Sequence, residues 1–248
     1  MFGDVPIRVT REDDTASRMH LLDNPVWLAL TTHQAHLAVG DGRALRYPDH
    51  VTPIAAVGVP DRAAVDALAA LVPDGDWLSL PATLPELEGL VGPPLKIALT
   101  KTLVQMVCER RVAVAASGAE LCVLSEPDVP DMVALTSLTH PGPFRPQTYT
   151  LGMYLGIRVD GRLAAMGGER MHLPGAREVS AICTHPDFRG RGYARTIVAR
   201  LVDAIFDEGL TPFLHVEAQN GAAQALYREL GFVERARLPL IVVERMGG

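Results

Sequence analysis

The stretch Arg189-Gly190-Arg191-Gly192-Tyr193-Ala194 constrains this chain more than any other. Upstream, Glu178-Val179-Ser180-Ala181-Ile182-Cys183-Thr184 predicts a buried strand, ended by His185-Pro186 because proline cannot donate to a sheet ladder. Downstream, Ala194, Ile197, Val198, Leu201, Val202, Ile205 and Phe206 recur at helical spacing and predict an amphipathic helix of about four turns. A strand, a tight glycine turn and a helix therefore follow one another. The small residues of the turn, spaced R-x-x-G-x-A, leave backbone N–H groups uncovered at the positive end of the helix. Such groups suit a phosphate or pyrophosphate. Gly-Arg turns are common, so the weight lies in the flanks.

The 248 residues leave room for one large domain or two ordinary ones. With 48% hydrophobic but only 5% aromatic residues, the core must be built mostly of Ala, Val and Leu. A net charge of −6 argues against a general nucleic-acid binder, which would need many phosphate contacts. Cys108, Cys122 and Cys183 are odd in number and lack metal-ligand spacing, so neither disulfides nor a metal site is expected. Met1 to Asp14 carries no secretory pattern, and no apolar run is long enough to span a bilayer. A cytoplasmic protein without a membrane partner is the expectation. Oligomeric state leaves no signal.

The chain changes character near Arg110 to Gly118. Before it, the pattern predicts a helix over Asn24 to His36 and a hairpin turning at Gly40-Asp41-Gly42. A strand over Ile54 to Val59 and a helix capped by Asp61 come next. Trp77 to Leu80 should be a strand, Leu84 to Leu90 a short helix, and Leu103 to Cys108 a strand after Pro93-Pro94. From Ala119 the pattern sharpens into β-α-β-β-β-α-β-α-β. Its strands are Leu121 to Leu124, Tyr154 to Val159, Arg162 to Met171, Val179 to Thr184, Pro212 to Ala218 and Phe232 to Glu244. The first helix starts at Ser125 or Asp128 and carries Met132, Leu135 and Leu138.

This order resembles the GNAT superfamily of acyl-CoA-dependent N-acyltransferases over roughly Glu120 to Glu244. Arg189 to Ala194 is similar to the family's Q/R-x-x-G-x-G/A pyrophosphate loop, with Ala194 as a permitted last residue. Asn220, Tyr227 and Gly231-Phe232 are similar to its second signature. Glu178, eleven residues before Arg189, stands where many members carry a carboxylate. The resemblance implies an α/β fold with a mixed α+β sheet, a GNAT-like domain over 116–248 and a second α/β domain over 1–115. Whether that first part is a degenerate copy of the same fold or an unrelated α/β cap stays open, and in either case it should lack a catalytic cycle of its own.

The implied activity is direct acetyl transfer from acetyl-CoA to an amine acceptor, a small molecule or a protein amine. The pyrophosphate would sit on the amides of Gly190, Arg191, Gly192, Tyr193 and Ala194, with Arg189, Arg191 or Arg195 adding charge. The pantetheine arm would run along Ile182, Cys183 and Thr184, where a backbone N–H polarises the thioester carbonyl. Cys183 is expected as a small core residue and not as a nucleophile. An ammonium has no lone pair, so a base is required, and Glu178 is the candidate. The alternative is a strand-edge carboxylate paired with Arg177. Tyr227 is the candidate acid for the departing thiolate, or else a packing residue. Asn220 caps its helix, touches the CoA arm, or both. Alternation puts Glu178, Ser180, Ile182 and Thr184 on one side of the strand. His140, His172, His185, His215 and Glu217 have no assigned role; Phe144, Arg145 and Tyr149 are expected along the acceptor groove. The competing reading is a non-catalytic acyl-CoA-binding or regulatory module. A nucleotide-binding loop is disfavoured, because the Lys-Ser/Thr of a phosphate loop is missing.

Overall fold

The computed structural model describes residues 20–81, 85–114 and 118–246. The expected division at 115/116, the helix start at Leu84 and the N-terminal stretch Met1 to Asp14 lie outside them. The order expected from Ala119 onward is found: β6 (Leu121–Val123), α4 (Val129–Thr139), β7 (Tyr154–Val159), β8 (Arg162–Leu173), β9 (Ala176–Thr184), α5 (Tyr193–Asp207), β10 (Thr211–Glu217), α6 (Gly221–Glu229) and β11 (Phe232–Arg245). A capping box between Ser125 and Asp128 opens the short 3-10 turn that leads into α4. Met132 and Leu135 are buried on α4, but Leu138 faces solvent.

Earlier in the chain come α1 (Pro25–Thr31), β1 (Val39–Gly40), β2 (Ala44–Arg46), β3 (Ala55–Val57), α2 (Arg62–Leu71), β4 (Trp77–Pro81), α3 (Pro85–Leu90) and β5 (Leu95–Cys108). Asp61 caps α2 as expected, accepting a hydrogen bond from the Ala64 N–H at 2.7 Å. The strand expected over Leu103 to Cys108 begins eight residues earlier, at Leu95.

Two sheets form. Strands β1-β2-β3 make a small antiparallel one, and eight strands run in the order β4-β11-β5-β10-β9-β8-β7-β6. Strand β5 lies between β10 and β11, antiparallel to both, and β4 closes the edge beyond β11. One core packs α5 and α6 on this sheet, with Val104, Met106 and Cys108 of β5 beside Ile197, Leu201 and Phe232. On the far strands, α2 covers Leu78, Leu80, Ile241 and Val243. Residues of α1, with Leu45 and Tyr47, pack on Val107, Met171 and Phe213.

The feature that positions the site is a parting of strands. β9 and β10 are parallel but pair only from Ala176–Thr211 to Glu178–Phe213, after which they diverge. Beyond Glu178 the edge of β9 that would face β10 has no strand partner among the described residues.

Candidate active site

A cleft of about 270 Å³ opens where β9 and β10 part. Val179 to Ile182 line one side, and His215, Val216 and Glu217 the other. Asn220, just before α6, and Ala223 and Tyr227 within it also line the cleft, as do Arg170 and the loop His140 to Pro143. The described N-terminal residues add Ile54, Ser79 and Pro81 to the wall, and β11 adds Leu240.

Strand β9 is irregular here. Ala181 has φ +55°, and between Ser180 and Cys183 the register with β8 slips, so three β9 residues span two β8 positions. This bulge corrects the expected alternation. Ile182 points to the α5 side, where it would meet a Cβ added to Gly167, and Val179 packs into the same core. Ala181 and Cys183 pack on the opposite face with α4. Glu178, Ser180, Ile182 and Thr184 therefore do not share a side. Thr184 pairs with Ala165 of β8. Cys183 is buried, and burial pushes its thiol up to about 11.

Beyond β9, Gly190 (φ +76°) and Gly192 (φ +77°) occupy the left-handed region that glycine tolerates, and Gly192 is the residue before α5. No acceptor among the described residues takes the N–H groups of Gly190 to Ala194; the first amide to be bonded is that of Thr196, to the Gly192 carbonyl. The open amides at a helix N-terminus fit a diphosphate. The arginines divide. Arg195 is tied to Glu229, Arg191 lies over the Phe188 ring at 5.2 Å, and Arg189 makes no ion pair among the described residues.

Asn220 caps α6, its Oδ1 accepting from the Ala223 N–H at 3.1 Å. Tyr227, about two turns on, packs on Phe232 and lines the cleft. Burial raises its phenol to about 12. It thus stays protonated and available as a donor.

Glu178 is 1% exposed and fully engaged. Its two oxygens accept from Nε and Nη2 of Arg170 at 2.7 Å each, and His215 Nδ1 lies 2.8 Å from Oε1. Burial alone would raise its pKa, but the Arg170 charge and these hydrogen bonds outweigh it and hold the carboxylate at about 2. The partner is thus Arg170, not Arg177, which pairs with Glu208. Both carboxylate oxygens are thus already accepting hydrogen bonds. The chain of bonds continues through the sheet. Gln105 Nε2 donates to His215 Nε2 at 3.0 Å and to the Leu22 carbonyl, so the ring proton sits on Nδ1. Gln105 Oε1 accepts from Arg235, which is paired with Asp23. Arg170 and Gln105 had no motif to flag them; only the fold brings them to Glu178. Of the loop residues, Phe144 packs edge-on against Tyr154, Tyr149 joins the core around it and Arg145 pairs with Asp76 at 2.5 Å; none of the three is among the residues that line the cleft. No cluster of His, Cys, Asp and Glu that could hold a metal occurs among the described residues.

The model of FR47-like proteins matches residues 154–238. The ribosomal protein bS18-alanine N-acetyltransferase of Salmonella typhimurium is 32% identical over 120 residues, 46% of this chain and 80% of that protein. The N-alpha-acetyltransferase RimI of Mycobacterium tuberculosis is 38% identical over 82 residues, 32% of this chain and 51% of its own. A solved structure assigned to the GNAT family of acetyltransferases, from Novosphingobium aromaticivorans, is 35% identical with a TM-score of 0.83, covering 92% of this chain and 100% of that one. With the parted strands, the open amide turn and these likenesses in agreement, the chain belongs to the GNAT family of N-acetyltransferases.

Proposed function

We propose that the protein transfers an acetyl group from acetyl-CoA directly to a primary amine. The observation that carries this is the parting of β9 from β10 beside five unbonded amides, Gly190 to Ala194, with Tyr227 at the cleft between them. The diphosphate rests on those amides, and the arm lies along the open edge of β9 toward Cys183 and Thr184. A backbone N–H there polarises the thioester carbonyl; the free amine adds to it, the C–S bond breaks as Tyr227 gives its proton to the sulfur, and the proton shed by the new amide nitrogen passes through solvent to restore Tyr227. Asn220 holds α6, and hence Tyr227, in place. In this reading Glu178 is no general base; it fixes Arg170 and His215. The acceptor must then arrive partly as free amine. At pH 7.5 an α-amine of pKa about 8 is roughly a quarter deprotonated, whereas a lysine amine of about 10.4 is roughly 0.1% so. That difference favours an α-amino group, and the named activities of the bS18 and N-alpha relatives make protein N-termini the first acceptors to try. We read residues before 115 as a degenerate copy of the same unit that supplies the cleft's outer wall.

The test is a thiol-release screen of amine acceptors with acetyl-CoA, preceded by calorimetric titration with CoA. Tyr227→Phe should lower kcat by about 100-fold or more while CoA affinity stays within about twofold. A protein with no CoA affinity at millimolar concentration removes the proposal. CoA binding without turnover on any amine leaves the non-catalytic module in its place.

A further inference from the structure

The acceptor end of the cleft carries an unusual charge arrangement. Arg170 is 9% exposed and lines the cleft. Its Nε and Nη2 are held by Glu178, and its Nη1 has no partner among the described residues. The guanidinium thus keeps one end for the cleft while the opposite edge is fixed, and the buried Gln34 anchors its backbone by donating to the Arg170 carbonyl at 2.8 Å. The apolar part of the lining is Ile54, Pro81, Leu103 and Leu240 with Pro141 and Pro143; Ser79, His140, Ser180, His215 and Asn220 supply neutral polar groups. The carboxylate among the lining residues is Glu217, and Lys101 neutralises it at 2.5 Å.

We infer that Arg170 reads an oxygen of the acceptor, so that the preferred acceptor is an apolar α-amino compound whose amine stands next to a carbonyl or carboxylate, and not a polycation. This rests on the acetyl-transfer reading and narrows it. A polyamine or aminoglycoside gains most from unpaired carboxylates, and this cleft offers none among its described lining residues. A planar guanidinium with one face committed is a preorganised donor for a C=O, at little further cost in side-chain entropy. The carbonyl oxygen of an α-amino compound lies two bonds beyond the amine-bearing carbon. Ile54, Pro81, Leu103 and Leu240 would take the side chain.

The acetylated forms of the two apolar amines carry no ionising amine, so comparing them separates oxygen recognition from amine basicity. N-acetyl-L-leucinamide and N-acetyl-3-methylbutylamine share one apolar body and differ in the carboxamide; N-acetylspermidine stands for the polycations. Each is titrated calorimetrically into free and into CoA-saturated protein. The leucinamide product should bind about 10- to 100-fold tighter than the methylbutylamine product. N-acetylspermidine should bind weakest. In Arg170→Lys the ammonium can still meet Glu178 but cannot also reach forward, so the ratio of the first two should fall to about one. Equal affinities in the wild-type protein, no binding of either, or tightest binding of N-acetylspermidine overturns the inference. The wild-type ratio decides even if Arg170→Lys does not fold. CoA titrated alone reports on the acetyl-transfer reading, so the two failures are told apart.

Discussion

At the scale of single residues, Glu178 has the most to lose. Removing its charge leaves Arg170 buried opposite a neutral amide, and breaking such a pair costs about 3–5 kcal/mol. Glu178→Gln should therefore lower stability by about that much in urea unfolding, with an accompanying rise in KM for the acceptor because Arg170 loses its anchor. The same pair fixes an acid response. The folded carboxylate, near 2, lies below the ordinary 4.5, so its contribution is complete above about pH 4.5 and is lost as pH falls toward 2. That interval should remove about 3 kcal/mol more from the wild-type protein than from Glu178→Gln, in which the other paired carboxylates still titrate, measured by unfolding both at stepped pH. A wild-type stability that stays flat from pH 4.5 to 2 would contradict the pairing. Glu178 could be singled out in the sequence, but its environment could not. Arg177 is its neighbour in the chain, whereas Arg170 reaches it only through the slipped register of β8 against β9, and Gln105 and His215 only through the order of strands.

At the scale of elements, helical spacing and turn chemistry carried most of the structure from Ala119 onward, because each strand and helix there is bounded by its own punctuation. Asp160-Gly161 turns β7 into β8, His185-Pro186 ends β9, and Asn220 starts α6. Two things escaped. The bulge at Ala181 has no residue signature, since alanine at φ +55° is held by its surroundings and not by preference. The start of β5 at Leu95 was hidden because its first half is largely exposed and lacks a clean apolar alternation. Helix α6 offers a direct check on a residue with two open roles. Asn220→Ala removes one cap and should cost about 1 kcal/mol, lowering Tm by about 2–4 °C. Asn220→Asp keeps an accepting oxygen and should hold Tm within about 1 °C of wild type. If both variants weaken CoA binding while only the first loses stability, Asn220 serves the CoA arm as well as the helix; if CoA binding is unchanged in both, it is a cap alone.

For the whole molecule, the order α-β-β-β-α-β-α-β occurs twice, from α1 to β5 and from α4 to β11. In each run three antiparallel strands are followed by a helix and then a strand that makes a parallel contact: β9 with β10 in the second, Ile54 bridging Ser79 in the first. The two helix starts differ: Asp61 accepts from the amide of Ala64 at the start of α2, whereas the turn before α5 leaves the amides of Gly190 to Ala194 without an acceptor among the described residues. The final strands are exchanged: β5 of the first run lies beside β10, and β11 of the second beside β4. Each run therefore lacks one strand of its own sheet until the other is present, and the principal core draws Val104, Met106 and Cys108 from before residue 115. Two units so interleaved cannot melt one at a time without baring a strand edge and part of a core. The chain's two tryptophans, Trp27 and Trp77, both lie in the first run, whereas far-UV circular dichroism reports on both. Urea unfolding followed by tryptophan fluorescence and by circular dichroism should give one midpoint and coincident curves. A fluorescence transition at distinctly lower urea than the circular dichroism change would mean that the first run lets go by itself, and that the exchanged strands do not couple the halves.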